Sequence, residues 1–314
     1  MKKIILVAGA TGNLGERIVK ALLERGAEVR VIVRTRSNNE KINKLESLGA
    51  KVFKINLSDV EEVSKTCIGV SCVVSALNGL RDVIIEAQKV LLDAAISVGV
   101  PHFIPSDYSL DFTKFSAGEN RNLDWRREFH KYLDKSSISA TSIFNGAFME
   151  LLTGQMPLIL FRQKLVMYWG NADHPMCFTT MDDTAAFTAN AALDPTAPRF
   201  LRIAGDLKSP REIQTVISDV SGEKYRLFRT GGLGLLGALI KVVRFLGPSE
   251  KEIFPAWQGM QYMRNMIDDR AKLDSIDNDR YPNMHWTTSR DLLLAHQVEN
   301  QGKLSFSQVQ HPQV

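Results

Sequence analysis

The chain has 314 residues, 44% of them hydrophobic and 24% charged, enough to bury one large core or two interleaved ones. Its formal net charge of +4 is small and its basic residues are spread along the chain, which excludes the basic stripe expected of a nucleic-acid binder. Three cysteines (Cys67, Cys72 and Cys177) and six scattered histidines fit no metal-ligand spacing, so no metal is expected, and the odd, low cysteine count suits a reducing compartment.

Lys2-Lys3 before Ile4-Ile5-Leu6-Val7-Ala8 has the outline of a signal peptide, but the apolar run is short and ends in glycine, so it reads as the first strand. Gly9-Ala10-Thr11-Gly12-Asn13-Leu14-Gly15 follows at once, and a helical pattern over 16–25 stops on Gly26. A buried strand that turns tightly into a helix presents free N–H groups and the positive end of the helix dipole, which attract a phosphate. Gly9 permits the turn, Gly12 lets the backbone approach a pyrophosphate, and Gly15 lets helix and strand pack closely. Thr11, Asn13 and Leu14 complete this nucleotide-binding turn.

The second strand, 28–34, ends on Arg34, nineteen positions after Gly15, where an NAD-preferring unit carries Asp or Glu. An arginine fork there suits the 2′-phosphate of NADP(H), against the plainer reading of a solvated strand-end arginine. A helix over 41–48, a third strand over 51–56 and a short helix capped by Asp59 come next. Asn56, ending the third strand, faces an adenine edge or simply makes a turn. The fourth strand, 72–77, finishes on Ser75, Ala76 and Leu77, small enough at the first two to leave room for a cofactor, though packing explains them equally.

A long helix over 81–98, a fifth strand leaving through Ser106-Asp107-Tyr108, a charged helix over 120–135 and a sixth strand over 139–145 complete the alternation. The fold class is therefore α/β, a doubly wound parallel sheet with right-handed crossovers. Beyond Gly146 a strand over 165–170, a helix over 181–193 and a strand over 199–205 are expected. The last would return to the main sheet. The expected organisation is a nucleotide-binding domain over 1–150 completed near 199–205, an interleaved substrate domain over 151–300, and a loose tail over 301–314.

Gly232-Leu233-Gly234-Leu235-Leu236-Gly237 copies the dinucleotide pattern more literally, but no second strand of a βαβ unit follows it. The apolar run through Phe245, interrupted by Lys241 and Arg244, is too short to span a bilayer and reads as a helix over the substrate pocket or at a subunit contact, ahead of a membrane-surface helix. Asp268, Asp269, Asp274, Asp277 and Asp279 lack calcium-loop spacing and read as solvated surface. With no spanning run, a cytoplasmic location is expected.

Taken together, Gly9–Gly15, Arg34, Phe103-Ile104-Pro105-Ser106-Asp107-Tyr108 and Thr141-Ser142-Ile143-Phe144-Asn145-Gly146-Ala147-Phe148 resemble the NmrA-like and isoflavone-reductase-like atypical short-chain dehydrogenase/reductase group. The likeness covers roughly residues 1–205 and is vague beyond. It implies an NADP(H)-binding Rossmann domain with a small C-terminal substrate domain, and places the nicotinamide near Ser106–Tyr108 and Asn145–Phe148. It also implies a catalytic lysine on the helix before the sixth strand. An ungapped count from Thr141 puts Arg126 there, a departure, since a guanidinium holds a ribose or an anion but does not readily give up a proton.

The Tyr-x-x-x-Lys pair of ordinary short-chain dehydrogenases is absent from the chain. Arg126 and His130 lie four apart on one helix face, and Tyr108 approaches from the fifth strand, so His130 or Tyr108 is the candidate proton donor. The plainer alternative has Arg126 binding phosphate or substrate and His130 as an ordinary polar helix residue. The leading expectation is an NADPH-dependent reductase of a small carbonyl or enone bound in a C-terminal cleft. The alternative is a non-catalytic NADP(H) sensor that binds a partner protein. Nucleotide-sugar epimerase chemistry ranks last, and a homodimer or a regulatory partner is left open.

Overall fold

In this computed structural model residues 2–298 are described, except Gln155, Pro248 and Asp274. The chain alternates from the start: β1 (Ile4–Ala8), α1 (Asn13–Glu24), β2 (Glu28–Val33), α2 (Asn39–Ser47), β3 (Lys51–Lys54), α3 (Val60–Cys67), β4 (Cys72–Ser75), α4 (Gln88–Ser97), β5 (His102–Ile104) and α5 (Arg121–Leu133). There follow β6 (Ser139–Ala140), β7 (Ser142–Phe144), β8 (Ala147–Phe148), β9 (Ile159–Leu160), β10 (Leu165–Trp169), β11 (Met176–Thr179), α6 (Met181–Leu193), β12 (Phe200–Arg202) and β13 (Asp206–Lys208). The second half closes with α7 (Pro210–Ser221), β14 (Arg226–Gly231), α8 (Leu233–Leu246) and α9 (Ala256–Met266), before a last helical run over 289–298.

The main sheet is parallel throughout, in the order β3-β2-β1-β4-β5-β6. Its strands are buried on both faces, so their apolar residues divide by parity. Ile5, Val7, Cys72, Val74 and Ile104 join α1, α2 and α6 in one core, while Leu6, Ala8, Val73 and Phe103 join α3, α4 and α5 in another. The strand order reverses between β1 and β4, and ligands of such sheets bind at that crevice. Both faces of the sheet are thus covered by the same alternation that made the strands legible.

The expected sixth strand over 139–145 divides at Thr141. β6 pairs with β5, while β7 pairs in parallel with β12 in a separate two-stranded sheet, so the strand expected to return to the main sheet does not join its ladder. There the backbone changes partner: Thr141 donates its N–H to the Phe103 carbonyl of β5 and Ser142 to the Arg199 carbonyl just before β12, while the Thr141 hydroxyl bonds His102 Nε2 at 2.9 Å and the Pro198 carbonyl at 2.8 Å. The helix expected over 81–98 opens with a π-helical turn, Asp82–Ala87, before α4. α6 packs on α1 within the first core, so 181–193 belongs to the nucleotide-side unit.

The second region is built from two small sheets, β13-β11-β8 and β14-β10-β9, with α7, α8 and α9 around a third core that includes Phe144, Phe178, Leu236 and Met266. Asp277, expected as solvated surface, instead accepts the N–H of Arg202 at 2.7 Å and so fastens β12. The tail expected over 301–314 lies outside the described residues. No helix among the described residues is long and apolar enough to cross a membrane.

Candidate functional site

Gly9 has φ +84, and a Cβ there would lie 2.5 Å from the Ala76 carbonyl oxygen. At Gly15 the added atom would meet the Gly9 carbonyl oxygen at 2.2 Å, so only glycine lets α1 start this close to β1. Gly12 donates its N–H to Gly9 and is the N-cap of α1, with no side-chain cap. Glu16 takes up the Gly12 carbonyl, leaving the N–H groups of Asn13, Leu14 and Gly15 at the helix mouth. Gly12 and Asn13 are exposed, Thr11 and Leu14 half-buried, so the turn stands open. Lys41, which sequence reasoning missed, closes on it by donating to the Thr11 carbonyl at 2.9 Å.

Arg34 and Arg36 extend from the end of β2 into solvent, and neither guanidinium meets an acceptor among the described residues. A guanidinium fork without an acceptor has the planar geometry that pairs with phosphate oxygens. Asn56 makes a turn: its Oδ1 accepts from Ser58 N at 3.1 Å and its carbonyl from Asp59 N.

Deeper in, Ser75 is wholly buried with its hydroxyl unpartnered among the described residues, and Ala76 donates its N–H to Ala8 across the strand ends. Ser106 spends its groups on the protein. Its hydroxyl donates to the Leu77 carbonyl at 2.5 Å and its N–H to Gln88 Oε1 at 2.7 Å. Gln88 is fully buried at the join of the π-turn and α4, and its Nε2 donates to Ile84 O. Its signal in the sequence was an amide on the apolar face of a helix. Asn145, at the end of β7, is also fully buried, yet neither atom of its side-chain amide has a hydrogen-bond partner among the described residues. Such a group is costly unless a ligand satisfies it.

Arg126 is 92% removed from solvent (8% exposed). Its Nε donates to the Ser106 carbonyl at 2.9 Å and Nη1 to Asn122 O at 3.0 Å, which leaves Nη2 without an acceptor among the described residues. His130 is on the same helix face, but both ring nitrogens are engaged. Nε2 bonds Asp107 Oδ2 at 2.6 Å, and Nδ1 faces Arg199 Nη2 at 3.3 Å. Because arginine only donates, Nδ1 accepts and Nε2 carries the proton. The Ser142 hydroxyl donates to the same Asp107 oxygen at 2.6 Å. Burial opposes charge on Asp107, yet His130, Ser142 and Arg126 hold its carboxyl below the ordinary carboxylate range. Serine and histidine share one carboxylate oxygen here, unlike a nucleophilic triad, in which histidine stands between the other two.

Tyr108 does not join Arg126 and His130. Its ring lies in the core with Ile104, Ile143, Ala185 and Phe187, on the α1 and α6 side of the sheet, with Thr188 as polar neighbour. Burial pushes its phenol well up. Alternation explains the difference: the side chains of Asp107 and Tyr108, adjacent in an extended exit, point to opposite faces.

The model of the NmrA-like family matches residues 1–246. The chain belongs to the NmrA-like family. Pinoresinol reductase 1 from Arabidopsis thaliana is 28% identical over 229 residues, covering 68% of this chain and 71% of that protein. Among solved structures, AtPrR2 with NADP+ and (+)-pinoresinol superposes with a TM-score of 0.81 at 22% identity, covering 94% of this chain and 99% of that one. The leucoanthocyanidin reductase–NADPH complex from Vitis vinifera gives 0.78 at 17% identity over the same shares. As an NmrA-like protein the chain shares the fold of these reductases over 94% of its length.

Proposed function

We propose that this NmrA-like chain is an NADPH-dependent oxidoreductase that reduces a small carbonyl or enone compound. One observation carries the reading: the open, uncapped start of α1 stands beside Arg34 and Arg36, whose guanidinium groups meet no acceptor among the described residues. The reductase relatives support it. Gly9, Gly12 and Gly15 would receive the pyrophosphate, Thr11, Asn13 and Leu14 would donate around it, and Arg34 would take the 2′-phosphate. Ser75, Ala76 and Leu77 would border the cofactor, with the unpartnered amide of Asn145 at its nicotinamide end. Asn56 borders the adenosine end while keeping its turn.

Bound NADPH supplies a hydride. As the substrate oxygen gains negative charge, Nη2 of Arg126 is the donor that stabilises it. A guanidinium is a hydrogen-bond donor and a poor proton source, so the proton that completes the alcohol or ketone comes from solvent. His130 positions Asp107 and the exit of β5 instead of donating, and Tyr108 packs the core. On the second-region side Phe144, Gly146, Cys177 and Met266 border a cavity of about 20 Å³, room for about one water, so a substrate entering there would have to part these side chains.

A second reading, a redox sensor that binds NADP(H) and a partner protein, draws on a specific observation: arginine stands where lysine is expected, and both nitrogens of His130 are committed within the protein. The discriminating experiment follows NADPH absorbance across a panel of aldehydes, quinones and enones, beside a fluorescence titration of NADPH. Turnover on any of them supports the reductase. Tight NADPH binding with no turnover on the whole panel sinks it in favour of the sensor, and no dinucleotide binding sinks both.

A further inference from the structure

α8 was expected over the substrate pocket or at a subunit contact, and its two apolar faces differ. Leu236 and Ile240 turn inward to the second-region core. Leu235, Leu239, Val242 and Leu246 recur at spacings of four, three and four on another face, and all are exposed, as is Phe245 beside them. Phe245 and Leu246 are 86% and 76% exposed. At 1.5 Å per residue the stripe runs about 16 Å. Single exposed apolar residues are ordinary, but five on one helix face mark a contact surface.

Charge decides what that surface meets. Residues 224–249 contain Lys224, Arg226, Arg229, Lys241 and Arg244 and no Asp or Glu. Arg226 and Arg229 are exposed on β14, an edge strand that leads directly into α8. Arg244 is committed, to Glu250 at 3.0 Å and over the ring of Trp257 at 4.6 Å. Lys241 is exposed along the flank of the stripe with no carboxylate against it among the described residues.

We infer that α8 is a peripheral docking helix for an anionic lipid bilayer, lying in the plane of the surface with Leu235, Leu239, Val242, Phe245 and Leu246 among the acyl chains and Lys241 against the headgroups. A basic-flanked apolar helix face with no acidic residue is the pattern of interfacial helices. Pairing with a second copy through the same face is disfavoured, because a twofold contact sets Lys241 near its own copy with no acid on either helix to meet it. The inference stands apart from the proposed reductase activity: it uses no residue of the nucleotide crevice.

The test is flotation of the full chain with vesicles of phosphatidylcholine alone and of phosphatidylcholine mixed with phosphatidylglycerol, with sedimentation velocity in parallel. The chain should float with the anionic vesicles and remain below with neutral ones, and added salt should release it. Lys241→Ala should weaken partitioning about fivefold and Phe245→Asp roughly tenfold or more, with unchanged melting temperatures and NADPH affinity. Equal binding to both vesicle types overturns the charge argument. No vesicle binding, with or without a dimer that Phe245→Asp dissolves, overturns the inference itself.

Discussion

Nε of Arg126 donates to the carbonyl of Ser106 at 2.9 Å, so α5 fixes the exit of the fifth strand. Through Ser106 the link continues to Gln88 and the π-turn. The nicotinamide end of the proposed crevice is therefore shaped by α4 and α5 together, and a change at one reaches the other.

Arg126→Ala removes this tether and the proposed oxyanion donor. A stability loss of about 1.5–3 kcal/mol is expected, because hydrogen bonds from a charged donor are lost. The turnover number should fall roughly a hundredfold, the usual cost of an oxyanion donor. Arg126→Lys should retain turnover to within about tenfold, since it keeps the charge and adds a group able to yield a proton. Denaturant titration and steady-state kinetics of both variants check this; an unaltered turnover number in Arg126→Ala would remove Arg126 from the reaction.

Gly15→Ala places a methyl 2.2 Å from the Gly9 carbonyl, backbone against backbone with nothing flexible to yield. α1 must move off β1, and a destabilisation of about 1–3 kcal/mol or more is expected from overpacking. Dinucleotide affinity should drop with it. Calorimetry and fluorescence titration read both, and wild-type affinity in a folded variant would show that the close approach is dispensable.

Arg34→Ala should weaken NADPH binding about tenfold or more and leave NADH nearly unchanged, because the charge-assisted bonds involved exist only with the 2′-phosphate. Arg36 beside it limits the loss, so the double variant should lose more. Equal weakening of both dinucleotides would place Arg34 elsewhere.

The buried Asp107 carboxyl is held below its ordinary range, so its interactions stabilise the fold at pH above the unfolded carboxylate value, and that stability is lost as pH falls through the folded value. His130→Leu removes the facing ring and should shift acid unfolding to higher pH, while neutral-pH stability also drops through the unpaired carboxylate. A pH series of thermal melts measures it. An unmoved acid limb would mean that Ser142 and Arg126 suffice to hold Asp107.

Much of this was legible in the chain because it is local. Glycine at 9, 12 and 15 between an apolar run and a helix states a turn that only small residues can make, and Arg34 sits at a fixed distance beyond it. The parity of Ile5 against Leu6, hidden within a uniformly apolar run, needed the two helix layers to become visible. Asp107 and Tyr108 show where adjacency misleads: they are neighbours in the chain and lie on opposite faces of the sheet.

By itself, then, the sequence determined the alternation of strands and helices, the nucleotide turn and the family, since these depend on residue types at short, fixed spacings. Tertiary structure alone decided that His130 is committed to Asp107, Ser142 and Arg199, that Gln88 and Ser106 brace one another, and that the outer apolar face of α8 stays exposed among the described residues. Each depends on segments far apart in the chain meeting, or failing to meet, in the fold, and no local spacing encodes that.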